Sequence, residues 1–183
     1  KITGHAVKDN TKAENYTISY KNGKLTVTDR EDADKYQITV EANSGEKTYN
    51  GQPLTVNGFK TLSFEVEGNT YTVEGLTATA TGTNVTDSKA VEITGTAKVL
   101  DAAKNDVTAQ FKVKTKNGQL TIKPVAIELT ADSAEKPYDG KALTKNSYQI
   151  TNGKFVGEQG LTSVTVEGSQ TLVGESANKI TGH

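Results

Sequence analysis

The 183-residue chain contains no cysteine, no methionine and no tryptophan. Without cysteine there is no thiol chemistry, no disulfide framework and no cysteine-based metal or redox site. The absence of oxidisable sulfur suits an extracellular protein. Arginine is nearly missing too, since Arg30 is the only one among 21 basic residues, which are balanced by 22 acidic ones for a formal charge of −1. Nucleic acid is therefore excluded as a partner, because there is no basic excess and the guanidinium fork that reads phosphate and guanine occurs once. No apolar run approaches the ~20 residues that span a bilayer, which predicts no membrane insertion within this segment. The first residue is Lys1 rather than methionine, so the chain reads as an excerpt with any export signal or wall anchor outside it.

Hydrophobic residues make up 33% of the chain, and all eleven aromatics are Phe or Tyr. So lean a supply predicts a narrow core, with one sheet face packed on another layer. What abounds is threonine, 28 residues, set in alternating runs such as "YTISY", "TYTV", "LTATAT" and "LTSVTV". β-branched residues alternating with apolar ones are the pattern of half-buried strands. Strands are expected at 16–20, 36–42, 62–66, 70–73, 76–81, 125–131 and 161–166, with hairpins turning at Asn22-Gly23 and Asn117-Gly118. The one helix candidate, "AKVLDAAKND" at 97–106, lacks apolar residues at sustained helical spacing and reads better as hairpin or loop.

The chain repeats itself. "GEKTYNGQPLT" at 45–55 returns 89 residues later as "AEKPYDGKALT" at 134–144, and "KITGH" stands at both 1–5 and 179–183, with "ITG" again at 93–95. The interval of 178 between the two "KITGH" copies is twice 89, as expected of tandem units. The step from "ITG" to the next Asn-Gly is four residues shorter at the chain's start than after 93.

Several constellations offer candidate chemistry. His5 and His183 occupy the same repeat position at the two ends, where neither a triad nor a zinc site finds ordered partners, so both read as surface residues. Glu65 and Glu67, two apart on a strand, point to one solvent face rather than forming a glycosidase pair, and Glu41 with Glu46 is read the same way. Asp29, Glu31, Asp32 and Asp34 in "DREDAD" offer hard oxygen ligands and are the calcium candidates, but without EF-hand spacing they read as a charged linker. Tyr16, Tyr20, Tyr36 and Tyr71 are read as core packing rather than a sugar-stacking platform. No local signature selects a Lys-Asn cross-link. The expectation is a protein with no catalytic residues, no metal and no cofactor.

Taken in order, the strand, the Tyr-Asx-Gly turn, the strand pair, "ITG" and the Asn-Gly pair resemble the YDG/MBG-type tandem β-rich repeats of large Gram-positive cell-surface, adhesin-like proteins. "EKPYDGKALT", "GLTSVTVEGSQTLVGESANKITG" and "ITGHAVKDNTKAENYTISYKNGKLTVT" together cover one repeat, and 36–123 covers another. The resemblance implies two tandem small β domains, Ig-like sandwiches or β-grasp-like sheets, in an elongated rod. It also implies a stalk that is extracellular, secreted or attached to the cell wall, with adjacent repeats as partners. The alternative is a repeat that itself binds host mucin glycans or a host protein with avidity. A cut at "ITG" gives units 1–92 and 93–183. The other division keeps 36–123 whole with partial units at both ends, residues 1–28 then completing 124–183 within one chain or as a strand swap between neighbours. The shared stretch itself reads as a structural joint of Tyr49, Asn50, Gly51 and Tyr138, Asp139, Gly140. Gly51 and Gly140 are expected at positive φ, with the two tyrosine rings packed beneath their turns.

Overall fold

Alternation builds the first strand. In Tyr36–Glu41 (β1), Ile38 and Val40 are buried while Gln37 and Thr39 face solvent, the period-two outcome of a pleat with one covered face. The structure, a computed structural model, describes residues 3–182 and is mainly β. After β1 come Gly45–Thr48 (β2), Leu54–Asn57 (β3), Ser63–Val66 (β4), Asn69–Gly82 (β5), Lys89–Val91 (β6), Ile93–Leu100 (β7), Phe111–Lys116 (β8) and Gly118–Lys123 (β9). Beyond them lie Glu128–Ala131 (β10), Tyr148–Asn152 (β11), Thr165–Glu167 (β12) and Lys179–Gly182 (β13).

β5 is the spine. It pairs antiparallel with β4, β3 and β7, and at fourteen residues it takes in both strands expected at 70–73 and 76–81. A register shift between Glu74 and Leu76 separates its two halves. Gly75 (φ 81°) and Gly95 (φ 99°) face each other there, and a Cβ on either would overlap a carbonyl oxygen across the pair. Gly95 is the glycine of "ITG", so the landmark is a point of close backbone approach. The extra residue also flips the inward parity, from Tyr71 and Val73 to Leu76, Ala78 and Ala80.

The interior forms two cores. Ile38, Val40, Val73, Val99 and Phe111 form one core, with Tyr36, Phe64 and Tyr71 packed on it. Ala42, Val56, Ala78, Ala80, Val91, Leu120 and Ile122 form the other, with Tyr49, Leu54 and Ile93 around it. Phe59 touches both. Around them β1 runs parallel to β8, and β9 lies between β2, parallel to it, and β6, antiparallel to it.

The structure differs from the sequence reading at several strands and turns. Asn117-Gly118 is not a hairpin turn, because β8 and β9 follow each other in the same direction, claimed by β1 and β2. Gly118 is required for another reason, since a Cβ there would overlap the Asn43 carbonyl. The two-residue hairpin of this region is Glu67-Gly68, with φ of 49° and 76° between the paired Val66 and Asn69, the signs such a turn demands. Residues 3–35 contain no strand, so neither the strand at 16–20 nor the Asn22-Gly23 hairpin forms. Leu25 and Val27 are 100% and 99% exposed. The pairings of β5 with β7 and of β6 with β9 cross the 92/93 cut, whereas every pairing of β1 to β9 closes within 36–123. Segment 97–106 is the end of β7 and a turn, closed by a Leu100–Asp106 bridge. In 124–182, β10 pairs with β11 and β12 with β13, shorter than the strands expected at 125–131 and 161–166.

Candidate functional site

The two Tyr-Asx-Gly turns share one internal geometry. In the first, Asn50 Oδ1 accepts from the Gln52 amide at 3.1 Å and from Lys47 Nζ at 2.8 Å. In the second, Asp139 Oδ1 accepts from the Lys141 amide at 3.0 Å and from Lys136 Nζ at 2.8 Å. Each is an Asx turn in which the side chain caps the backbone two residues on. Gly51 (φ 76°) and Gly140 (φ 74°) follow in the left-handed region, which glycine enters without a steric penalty. The hydrogen bond from Lys136, then that from the Lys141 amide, holds the Asp139 carboxyl below the usual carboxylate range.

Their surroundings differ. Tyr49 rests against the core of Leu120 and Ile122, and its amide donates to the Lys123 carbonyl at 2.8 Å. Its hydroxyl accepts from Gln159 Nε2 at 2.7 Å, and a Cβ on Gly51 would stand 3.0 Å from Val156 Cγ1. Tyr49, Val85, Pro124, Ile127, Phe155 and Val156 enclose an apolar recess of about 200 Å³. The turn is therefore the place where 36–123 meets 153–159. Tyr138, expected beneath its own turn, is instead 65% exposed. It borders an open groove of about 780 Å³ between 131–139 and 168–178. The sequence reading passed over Gln159 and "KFVGEQ". An apolar pair between glycines was the one local sign of a docking loop.

The other candidates do not converge. Among the described residues no three His, Asp or Glu side chains form a metal set. Asp29 accepts from Gln110 Nε2 at 2.6 Å and Asp32 pairs with Lys35 at 2.7 Å, so these two of the four "DREDAD" carboxylates are drawn to different partners. Arg30 of that segment stacks 4.0 Å over the Tyr36 ring and donates to its hydroxyl, which donates on to Glu67 Oε2 at 2.7 Å. Glu65 and Glu67 are both exposed. Glu41 is bound by Lys60 at 2.7 Å and Lys116 at 3.2 Å, and Glu46 by Lys123 at 2.6 Å. His5 contacts the Tyr20 hydroxyl; His183 lies outside the described residues. Tyr36 and Tyr71 flank Phe111 with ring centroids 5.5 and 4.8 Å away, while Tyr16 and Tyr20 are exposed rather than packed. Phe59 is drawn into the cores, and the turn at Val85–Asp87 is capped by Asp87, which accepts from the Thr83 and Asn84 amides at 2.8 Å.

Three carboxyls in the turns of 36–123 are held below the usual carboxylate range. Hydrogen bonds from the Asn84 and Thr83 amides lower Asp87, those from the Asn105 side chain and amide lower Asp101, and those from the Thr108 hydroxyl and amide lower Asp106. A general acid or base works best with a pKa near the operating pH, and these are displaced away from it. Comparison with protein-family models, curated proteins and solved structures gives no match in any of the three.

Proposed function

We propose that this chain is a non-catalytic tandem-repeat segment of a bacterial cell-surface adhesin. It acts as a stalk that bears tension and projects a binding region from the cell wall. In this reading 36–123 is one load-bearing unit of an elongated rod, and the Tyr49 turn is its joint to the next. The observation that carries the reading is the parallel pairing of the region's first and last strands, six residues from Tyr36↔Phe111 to Glu41↔Lys116, continued by four from Gly45↔Leu120 to Thr48↔Lys123. Tension along the backbone pulls the start of β1 one way and the end of β9 the other. Parallel neighbours can then part only by sliding, which loads all their hydrogen bonds together. An antiparallel hairpin pulled at its open end would give way one bond at a time.

The repeat in the sequence supports the same reading, because a spacer gains length by duplication without needing any new chemistry. The test is to immobilise the full chain and expose it to mucin, a mucin-glycan array and serum proteins. A spacer retains none of them at high concentration. Saturable retention would move the function to direct adhesion through the repeat.

A further inference from the structure

Region 36–123 holds three Asn-Gly pairs, at 50–51, 57–58 and 117–118, and their surroundings set one apart. In such a pair the glycine nitrogen can close a cyclic imide on the asparagine side-chain carbon, because no Cβ on the glycine stands in the way. The reaction needs an unengaged nitrogen, a polarised carbonyl and water. Gly58 fails the first requirement, since its amide donates to the Ala78 carbonyl at 2.9 Å. Asn117-Gly118 fails the last, because Gly118 is buried at the start of β9, so close to the Asn43 carbonyl that a Cβ would overlap it.

Asn50-Gly51 meets all three. Asn50 is exposed, and among the described residues no acceptor takes the Gly51 amide. Asn50 Oδ1 carries two donors, the Lys47 ammonium at 2.8 Å and the Gln52 amide at 3.1 Å. Lys47 is itself held, its backbone paired with Ile122 across β2 and β9 and its ammonium also bonded to the Gln52 carbonyl. Two positioned donors on an oxygen that is about to take negative charge are what an oxyanion hole supplies.

We propose that Asn50 is a self-modification site, at which the turn converts its own asparagine to aspartate and isoaspartate with water as the co-reactant. The Gly51 nitrogen gives up its proton and bonds to Asn50 Cγ, and the carbonyl electron pair moves onto Oδ1, between Lys47 and the Gln52 amide. As the pair returns, the Cγ–Nδ2 bond breaks and Nδ2 leaves as ammonia, taking up a proton in place of the one Gly51 released. Water then opens the imide. Attack at Cγ gives aspartate, and attack at the backbone carbonyl carbon gives isoaspartate, with the main chain now running through Cβ and Cγ. The aspartate product has its counterpart in the second turn, where Asp139 accepts from Lys136 at 2.8 Å and from the Lys141 amide at 3.0 Å. The isoaspartate breaks the ring that Asn50 Oδ1 closes with the Gln52 amide, so the turn is lost in that fraction.

The test holds the folded full-length chain in heavy-oxygen water at neutral pH and follows the three pairs by peptide mass mapping. Asn50 should convert, with heavy oxygen incorporated and ammonia released, at least about tenfold faster than Asn57 or Asn117, an exposed oxyanion site giving less than the hundredfold or more of a closed one. Lys47→Met removes a donor and should slow Asn50 about tenfold, whereas Lys47→Arg, which keeps a cationic donor, should retain most of the rate. Asn57 and Asn117 are internal controls, since they stay slow only while 36–123 is folded. In urea the three rates of the parent should converge. Equal rates at the three pairs in the folded chain, an Asn50 rate that Lys47→Met leaves unchanged, or a lead that persists in urea would each overturn the proposal.

Discussion

At the scale of single residues, the Tyr-Asx-Gly turn separates what must be kept from what can vary. Asn50 and Asp139 accept the same two hydrogen bonds, so exchanging them preserves the turn. Tyr49→Ala removes a ring packed on a core and frees the Gln159 amide. By chemical denaturation, Tyr49→Ala should cost about 2 kcal/mol, and Asn50→Asp should stay within about 0.5 kcal/mol of the parent. If Asn50→Asp proved the more damaging, the turn would not be acting as a joint. Glu41 supports a pH prediction. Hydrogen bonds from Lys60 and then Lys116 hold its carboxyl below the ordinary range. A depressed folded value contributes stability that is fully present above the ordinary glutamate value of about 4.3 and is lost as the pH falls through the lower folded value. Glu41→Gln should therefore lower the denaturation midpoint at neutral pH, and the gap between variant and parent should close as the pH falls below the ordinary glutamate range.

At the scale of elements, one motif sits in two environments, and mutation should tell them apart. Leu120→Ala in β9 leaves a cavity in a closed core and should cost about 3 kcal/mol. Leu25→Ala, placed after Asn22-Gly23 as Leu120 is after Asn117-Gly118, should leave the unfolding of 36–123 within about 0.5 kcal/mol of the parent. Equal losses would mean that the exposed leucine is already packed. The same contrast marks the limit of the sequence reading. β1, β4, β5 and β8 were legible because alternation is written into each stretch alone, as were the glycines at 51 and 140, whose conformation depends on the turn itself. The Asn117-Gly118 hairpin failed because turn chemistry says what two residues permit, not which distant strand claims the residues beside them. β1 claims β8 from 75 positions away, and no local pattern records that. Glu67-Gly68 was passed over for the converse reason, since a glutamate at positive φ is a poor local choice sustained by pairing on both sides. The burial of Tyr49 and exposure of Tyr138 were beyond local reading too, because Tyr49 is covered by Leu120, Ile122 and Gln159, all more than 70 positions away.

At the scale of the whole molecule, the chain enters 36–123 at the start of β1 and leaves at the end of β9, and the strands bearing those ends run parallel to their partners. Such an arrangement resists sliding, and that resistance is the central claim. The direct measurement is single-molecule pulling between the two chain ends, compared with pulling through handles at Ser63 and Thr72, antiparallel partners across β4 and β5. End-to-end pulling should rupture the 88 residues of 36–123 in one step, releasing just under about 300 Å of chain, at a force well above that needed between Ser63 and Thr72. Release in many small steps, or at a force no higher than the crosswise pull, would contradict a load-bearing stalk.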